Sequence, residues 1–314
     1  MKNNLFKYGK YIDSAHNREK LAKSLMLICA SFSLFVSIGI LFSIFYESYL
    51  FFSEYSILDF LFGTKWSPQL SDIEGVNPYF GVIPLLLGTL VITGIALLVA
   101  IPLGVLSAVY LAEFSTDSFR RIAKPVLEIL AGIPTIVYGF IAIMVVAPFI
   151  KNMGASLGLK VASESALTAG LVMGVMIIPF VSSLVDNALR AVPDSLRYGS
   201  YGLGATKAET IINIIFPTAL PAIIASFILA FSRAIGETMI VVMAAGLMAK
   251  LSVNPLEALT TITVQIVTVL TGDQEFGSLK TLSAFALGIF LFFITLILNA
   301  IALKIVNNYS EKYD

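Results

Sequence analysis

The sequence predicts an all-α membrane protein with six transmembrane helices, on its composition and its run of apolar segments. Of its 314 residues, 58% are hydrophobic and 13% charged, whereas soluble domains are about a quarter charged. The mean hydropathy is +0.91. A transmembrane helix needs roughly 20 mainly apolar residues. Six segments meet this requirement: 24–46, 79–112, 123–150, 166–189, 214–246 and 281–306.

The same composition argues against several functions. The formal net charge is zero, so the chain lacks the basic field that nucleic acid binding requires, and we expect no nucleic acid partner. Cys29 and His16 are the only cysteine and histidine. An internal disulfide and a histidine-rich metal site are therefore excluded. We expect no cofactor and no bound metal.

The first apolar segment follows a basic tail, residues 1–23, as a secretory signal would. Its apolar run from Leu25 to Tyr46 is longer than a signal core, and no small-x-small cleavage site follows it. We therefore predict a retained transmembrane helix over 24–46. An extracytoplasmic loop is expected over 47–78. It holds the only tryptophan, Trp66, which we expect to be an interfacial anchor; the alternative is a contact for a partner.

The remaining five segments form a predicted core over 79–306, followed by a short cytoplasmic tail, 307–314. Several of these segments contain helix breakers: Pro84, Pro102, Gly132-Ile133-Pro134, Pro179, Pro217 and Pro221. Breakers at membrane depth are tolerated where the freed backbone groups face protein or a water-filled cavity. This pattern favours a bundle around a pathway over a simple membrane anchor.

Lysine and arginine are distributed unequally between the two sides of the membrane. With six crossings, fourteen basic residues lie on the side of both termini and five on the opposite side. Because basic residues are retained in the cytoplasm, we expect both termini to be cytoplasmic.

The segment between the fourth and fifth spans, 190–213, carries helix signals. Pro193-Asp194-Ser195 is a helix start, and the sequence predicts an amphipathic helix over Ser195–Tyr201. This helix would end at Gly202 and Gly204, and a second would begin near Ala205. We expect a docking helix-turn-helix on the cytoplasmic face; the alternative is an ordinary loop between two spans.

This segment resembles the EAA signature of ABC-importer permeases, which is Glu-Ala-Ala, three residues, Gly, nine residues, Ile, one residue, Leu-Pro. Tyr198-Gly199-Ser200 stand at the Glu-Ala-Ala places, Gly204 at the glycine, Ile214 at the isoleucine and Phe216-Pro217 at the Leu-Pro. All three opening residues depart from the signature. The resemblance implies that the loop sits in a groove of an ATP-binding subunit. The residues expected to couple the two are Tyr198, Gly199, Ser200, Gly204, Ala205, Thr206 and Pro217.

Most of the chain from Tyr79 onward is similar to the PstC-type permeases of bacterial high-affinity phosphate ABC transporters. The most specific piece is "RAIGETM", supported by "GIPTIVYGFIAIMVVAP" and "ALRAVPDSLRYGSYGLGATKAET". The resemblance implies the type I ABC importer permease fold, inorganic phosphate as solute and the bacterial inner membrane as location. It also implies a dimer of ATP-binding subunits, a second related permease and an extracytoplasmic phosphate-binding protein that lands on outer loops including 247–280.

Arg233 and Glu237 lie inside the fifth apolar segment, four residues apart. On one helix they would share a face and meet. An arginine at mid-span costs roughly 2.5–3.5 kcal/mol, and its planar fork suits a phosphate oxyanion. We expect phosphate to compete with Glu237 for Arg233, with Thr238 offering a hydroxyl. The alternative is an ion pair that pins neighbouring helices.

Two other carboxylates stand four residues from a basic side chain. Glu128 follows Lys124, and Asp186 precedes Arg190. We expect a helix-surface ion pair in each case.

No Gly-x-x-x-x-Gly-Lys-[Ser/Thr] motif occurs in the sequence. The chain therefore has no phosphate-cradling P-loop, and we expect separate subunits to hydrolyse ATP. Three alternatives stay open: a permease of the same class for another oxyanion or solute, an ion-coupled secondary transporter, and a membrane enzyme. The last is disfavoured because the sequence has no nucleophile–base set.

Overall fold

The computed structural model describes residues 2–72, 78–271 and 277–309. Parts of four predicted regions lie outside the described residues: residue 1 of the N-terminal tail, 73–77 of the outer loop, 272–276 of the outer segment 247–280, and 310–314 of the C-terminal tail. The helices are α1 (Lys2–Glu54), α2 (Ile57–Phe62), α3 (Ile83–Val109), α4 (Asp117–Ala131), α5 (Thr135–Ile141), α6 (Ala147–Ser156), α7 (Ala166–Arg190), α8 (Asp194–Gly202), α9 (Lys207–Thr210), α10 (Phe216–Ile235), α11 (Met239–Ala244), α12 (Ile262–Leu270) and α13 (Leu279–Tyr309).

Short irregular elements join these helices. Strands β1 (Trp66–Ser67) and β2 (Tyr79–Phe80) pair antiparallel, and a 3₁₀ turn spans Pro68–Asp72. Three π-helical segments also occur: Tyr110–Phe114, Ala142–Val146 and Ile211–Ile215. Ala142–Val146 and Ile211–Ile215 each continue into a following α-helix, whereas Tyr110–Phe114 ends the second span, because Ser115 is extended.

Six helical stretches of the described chain are long and apolar enough to cross a membrane: Glu19–Glu54, Ile83–Phe114, Thr135–Ser156, Ala166–Arg190, Lys207–Ile235 and Leu279–Asn308. The predicted fold class is therefore confirmed. The second span begins at Ile83 rather than at residue 79, where strand β2 lies. The limits of the first, third and fifth segments differ more from the predicted ones.

The first helix does not end at residue 46. It continues to Glu54, so the predicted outer loop begins with about two more helical turns. The physical reason is a cluster of aromatic side chains. Phe51, on these extra turns, is fully buried and packs edge-on against Phe60 and Phe80.

The third predicted segment, 123–150, is two helices. Helix α4 ends at Ala131, and α5 begins at Thr135. Pro134 disfavours a helical conformation at the residue before it, and Gly132 is a weak helix former. None of the residues of α4 is buried within the chain, so α4 lies on the surface rather than in the bundle.

The fifth predicted segment, 214–246, begins earlier and ends earlier than expected. The apolar helix starts at Lys207 and ends at Ile235. Gly236 follows, and only the short helix α11 continues the predicted segment. This break changes the relation between Arg233 and Glu237, as described below.

The core of the bundle is the contact between α3 and α7, the most extensive contact between any two elements. Small residues let the two backbones approach closely. A Cβ on Gly174 of α7 would lie 2.8 Å from the Ala96 carbonyl oxygen of α3. Close approach through small residues is how transmembrane helices gain packing energy in lipid.

A second, smaller core lies at the end of the bundle that carries the β-strands. Trp66 is 5% exposed, and its Nε1–H donates to Oε1 of Gln265 at 2.8 Å. The expectation that Trp66 is an interfacial anchor is therefore wrong. Its indole is buried with its polar atom satisfied, which is the usual condition for burying tryptophan.

The α3–α7 contact predicts a stability difference between two glycines of α3. At Gly104 an added Cβ would lie 2.7 Å from Cγ1 of Val181, whereas at Gly94 it would meet nothing within 4 Å. Overpacking costs about 1–3 kcal/mol. Gly104→Leu should lower the thermal unfolding midpoint of the detergent-purified chain, and Gly94→Leu should not. Equal midpoints for the two variants would contradict the close packing.

Candidate transport and coupling sites

Arg233 lies in the last turn of α10, and its side chain is exposed in the isolated chain. Its Cζ lies 5.2 Å from the ring centroid of Phe180. Phe180 is on α7, roughly 21 Å along the helix from Ala166 and roughly 15 Å from Arg190 at 1.5 Å per residue. The guanidinium therefore lies near the middle of the span.

Glu237 does not pair with Arg233. Helix α10 ends at Ile235, so the four-residue spacing no longer brings the two side chains together. Oε1 of Glu237 instead accepts from the backbone N–H of Thr238 at 3.2 Å. Among the described residues no ion pair joins Arg233 and Glu237, and the expected pairing is wrong.

The break after α10 is stabilised from another part of the chain. The hydroxyl of Thr263, on α12, donates to the backbone carbonyl of Glu237 at 2.8 Å. This bond satisfies a carbonyl that has left the helix, as a break at membrane depth requires. Gly236, a poor helix former, lies just before it.

Thr238, which directly follows Glu237, is partly exposed. Its hydroxyl lies 3.4 Å from the Gly236 carbonyl oxygen, to which it donates. Local backbone bonds of this kind are common for threonine in membrane helices. Thr238 stays accessible, although its hydroxyl has a backbone partner.

The predicted helix-turn-helix between the fourth and fifth spans is present. Helix α8 covers the predicted Ser195–Tyr201, and the turn contains Gly204 with φ +86°, a backbone conformation that favours glycine. The second helix begins at Lys207 rather than near Ala205, because Thr206 is its N-cap in a capping box with Glu209.

We call α8, α9 and the turn between them the coupling hairpin. Its two helices are joined by a hydrogen bond, and several of its side chains are exposed. Ser200 and Thr210 share a hydroxyl hydrogen bond of 2.8 Å, which ties α8 to α9. Leu203 at the turn is 91% exposed, and Tyr198 is 70% exposed. Gly199 and Pro217 are also exposed. Leu203, exposed at the turn, was not singled out by the sequence.

Asp186 on α7 is a meeting point for three basic side chains. It is 4% exposed and lies 2.9 Å from Nη2 of Arg120, 3.3 Å from Nζ of Lys124 and 3.4 Å from Nε of Arg190. The expected pair with Arg190 is confirmed. The expected pair of Lys124 with Glu128 is wrong, because Lys124 turns toward Asp186 on the neighbouring helix.

A second buried ion pair was not found from the sequence. Nη1 of Arg197, on α8, lies 2.5 Å from Oε1 of Glu113, with the two side chains 14% and 5% exposed. The two residues are 84 positions apart. The spacing of residues along one helix cannot predict a contact between residues so far apart in sequence.

The six apolar spans, joined between the fourth and fifth by an exposed hairpin, define a polytopic membrane protein. Residues 100–309 match the family described as the binding-protein-dependent transport system inner membrane component. The chain belongs to this family and is a multi-pass membrane protein. Permease subunits of this family are not themselves catalytic.

Curated relatives cover most of the chain. The probable ABC transporter permease protein YqgH of Bacillus subtilis strain 168 is 34% identical over 75% of this chain and 73% of the relative. The phosphate transport system permease protein PstC of Mesorhizobium japonicum is 32% identical over 84% and 82%. PstC of Haemophilus influenzae is 33% identical over 75% and 76%.

Solved structures show the same fold at lower sequence identity. A bacterial alginate ABC transporter matches with a TM-score of 0.57 and 16% identity, over 94% of this chain and 97% of the matched chain. The inward-facing MetNI methionine ABC transporter matches with a TM-score of 0.50 and 20% identity, over 72% and 94%. The chain thus has the type I ABC importer permease fold.

The capping box of α9 gives a local test of the hairpin. Replacing an N-cap threonine by alanine costs about 1 kcal/mol, so Thr206→Ala should speed amide hydrogen exchange of residues 209–212 about fivefold. Ser195→Ala, at an exposed position of α8, is the control and should leave exchange there unchanged. Unchanged exchange in both variants would show that the capping box does not hold α9.

Proposed function

We propose that this chain is one of two permease subunits that together form the pathway for inorganic phosphate in an ATP-driven bacterial importer. A dimer of separate ATP-binding subunits hydrolyses ATP on the cytoplasmic side. An extracytoplasmic phosphate-binding protein delivers the solute from outside. The chain itself binds no cofactor.

The observation that carries this proposal is the likeness to named phosphate permeases over most of the chain. The Mesorhizobium japonicum and Haemophilus influenzae relatives are both named PstC. A Mycobacterium tuberculosis PstA 1 protein is also 34% identical over 70% of this chain. The relatives named PstC and the relative named PstA 1 are all named phosphate transport permeases. Their shared solute favours phosphate for this chain.

Arg233 supplies chemistry suited to that solute. Its guanidinium is stacked on Phe180, and among the described contacts it has no carboxylate partner. The N–H groups are therefore open to a passing oxyanion, which a guanidinium binds through two parallel hydrogen bonds. One arginine gives weak, brief binding, as a conduit requires. We propose that Glu237 and Thr238 border the same passage.

The coupling hairpin supplies the docking surface for an ATP-binding subunit. Two large side chains, Tyr198 and Leu203, stand exposed on it and are positioned by the bond between Ser200 and Thr210. A groove on the partner would cover them. The other residues proposed to shape this contact are Gly199, Gly204, Ala205, Thr206 and Pro217.

The proposed topology puts this hairpin and both termini in the cytoplasm of a bacterial cell, with the chain in the inner membrane. Its support is the excess of lysine and arginine on that side. The described parts of the outer segments 47–78 and 247–280 then form the landing surface for the binding protein. Lipid and the second permease cover the apolar exterior.

Arg233→Gln should abolish phosphate uptake while the assembled complex still hydrolyses ATP. The substitution removes the guanidinium and its positive charge and leaves a shorter, neutral, polar side chain. The measurement is uptake of radiolabelled phosphate in cells whose only copy of this permease is the variant. Arg121→Gln, an exposed arginine outside the spans, is the matched control.

Competition with unlabelled sulfate and arsenate in the same assay tests the solute. Arsenate, which shares the charge and shape of phosphate, should compete more strongly than sulfate. Normal phosphate uptake by the Arg233→Gln variant would contradict the role of Arg233. Sulfate uptake without phosphate uptake by the unmodified protein would contradict the proposed solute.

Leu203→Ser should weaken binding of the ATP-binding subunits about tenfold, since a buried anchor commonly contributes more than 1 kcal/mol at an interface. The measurement is a binding titration of the ATP-binding subunits with the permease pair in lipid nanodiscs. Leu157→Ser is the control, because Leu157 is 68% exposed at the end of α6. Equal affinities for both variants would contradict docking through the hairpin.

A further inference from the structure

Arg197 connects the coupling hairpin to two transmembrane elements at once. Its Nη1 lies 2.5 Å from Oε1 of Glu113, on the π-helical segment Tyr110–Phe114. Its Nη2 donates to the Leu189 carbonyl, in the last turn of α7, at 2.8 Å. One guanidinium therefore holds α8 against the ends of both the second and the fourth spans.

The second arm of the hairpin reaches the same π-helical segment. Nζ of Lys207, on α9, lies 5.2 Å from the ring centroid of Phe114. Nη1 of Arg120, on α4, also donates to the Leu111 carbonyl of that segment at 3.4 Å. Both helices of the hairpin thus contact the five-residue segment where the second span ends.

The elements held by Arg197 also make the most extensive contact between any two described elements. The second span, α3, and the fourth span, α7, form the largest contact in the bundle. A displacement applied to α8 through Arg197 therefore reaches α3 and α7 together. A close-packed pair of helices moves as a unit rather than deforming continuously.

We propose that the Glu113–Arg197 ion pair is the link that transmits movement of the coupling hairpin to the α3–α7 pair during import. The inference rests on the proposed function only for the presence of a separate ATP-driven subunit, not for the identity of the solute. Glu113 and Arg197 act as positioning residues. Neither touches the solute.

The geometry suits a mechanical link better than a loose surface contact. Both side chains are largely buried, so the pair is little screened by salt, and separating it leaves a buried charge without a partner. Asp194, whose Oδ1 lies 3.5 Å from Nε of Arg197, is 77% exposed. It holds Arg197 only from the solvent side. We therefore assign the transmission of movement to the buried contact with Glu113 rather than to the exposed contact with Asp194.

The test uses the complete transporter in liposomes, with phosphate uptake and ATP hydrolysis measured on the same samples. Glu113→Gln and Arg197→Gln should lower the phosphate carried per ATP about tenfold, within the range of couplings measured between sites. ATP hydrolysis should continue, because the exposed docking side chains Tyr198 and Leu203 are unchanged. The double variant Glu113→Arg/Arg197→Glu should recover a ratio above that of either Gln variant.

Arg121→Gln removes an arginine from the same side of the chain without breaking a carboxylate pair, and should leave the ratio unchanged. If a Gln variant does not fold, Glu113→Asp keeps the charge but shortens the side chain by one methylene. Its ratio should fall between those of the wild type and an uncoupled transporter. A wild-type ratio in Glu113→Asp or in both Gln variants would overturn the proposal, as would an equal drop in Arg121→Gln.

A different experimental result would show that the proposed solute, rather than the Glu113–Arg197 link, is wrong. A wild-type complex that hydrolyses ATP but carries no phosphate contradicts the proposed solute alone. The link is then measured by the stimulation of ATP hydrolysis by the extracytoplasmic binding protein. Glu113→Gln and Arg197→Gln should reduce that stimulation about tenfold, and Arg121→Gln should not. Full stimulation in both Gln variants would overturn the link.

Discussion

The close packing of α3 against α7 is the contact on which the rest of the chain depends. Lipid tails are as apolar as leucine, so no hydrophobic force drives two membrane helices together, and packing of small residues has to supply the attraction. Gly104 and Gly174 allow the backbones to approach this closely. Surface helix α4 then attaches through Arg120 to Asp186, and the coupling hairpin attaches through Arg197. These polar contacts of α4 and of the coupling hairpin are therefore both made to α7, one helix of this pair.

The helix breaks explain how an apolar bundle presents polar groups at mid-depth. Each break frees backbone groups that lipid cannot satisfy, so another segment has to satisfy them. The hydroxyl of Thr263 does so for the Glu237 carbonyl, and the hydroxyl of Thr89 does so for the N–H of Ile262 at 3.1 Å. Because α10 stops at Ile235, Arg233 lies at a helix end. At this helix end the Arg233 guanidinium does not form an ion pair with Glu237, which would lie one turn further along a continuous helix.

Local signals in the sequence were sufficient for the spans and for the coupling hairpin. Long apolar runs identify transmembrane helices without knowledge of their neighbours, and the capping residues around Pro193 and Thr206 act within one turn. The pairing of Arg233 with Glu237 was predicted wrongly because the break after α10 involves Thr263, on a distant helix. The contacts of Asp186 with Arg120 and of Arg197 with Glu113 span 66 and 84 residues. Spacing along one helix carries no information about them.

Charged side chains at the ends of the spans have different partners from the one near the middle of a span. At the ends of the spans, Asp186, Glu113 and Arg197 are buried in ion pairs. At mid-depth, the part of the chain that the structure describes offers Arg233 the face of Phe180 and no carboxylate. That contact is worth about 0.5–2 kcal/mol, against an insertion cost of roughly 2.5–3.5 kcal/mol. The aromatic contact therefore does not offset the cost of facing lipid. The exposed side of Arg233 must therefore face water or a polar partner in the assembled protein, and the proposed pathway, shared with a second permease, meets that requirement.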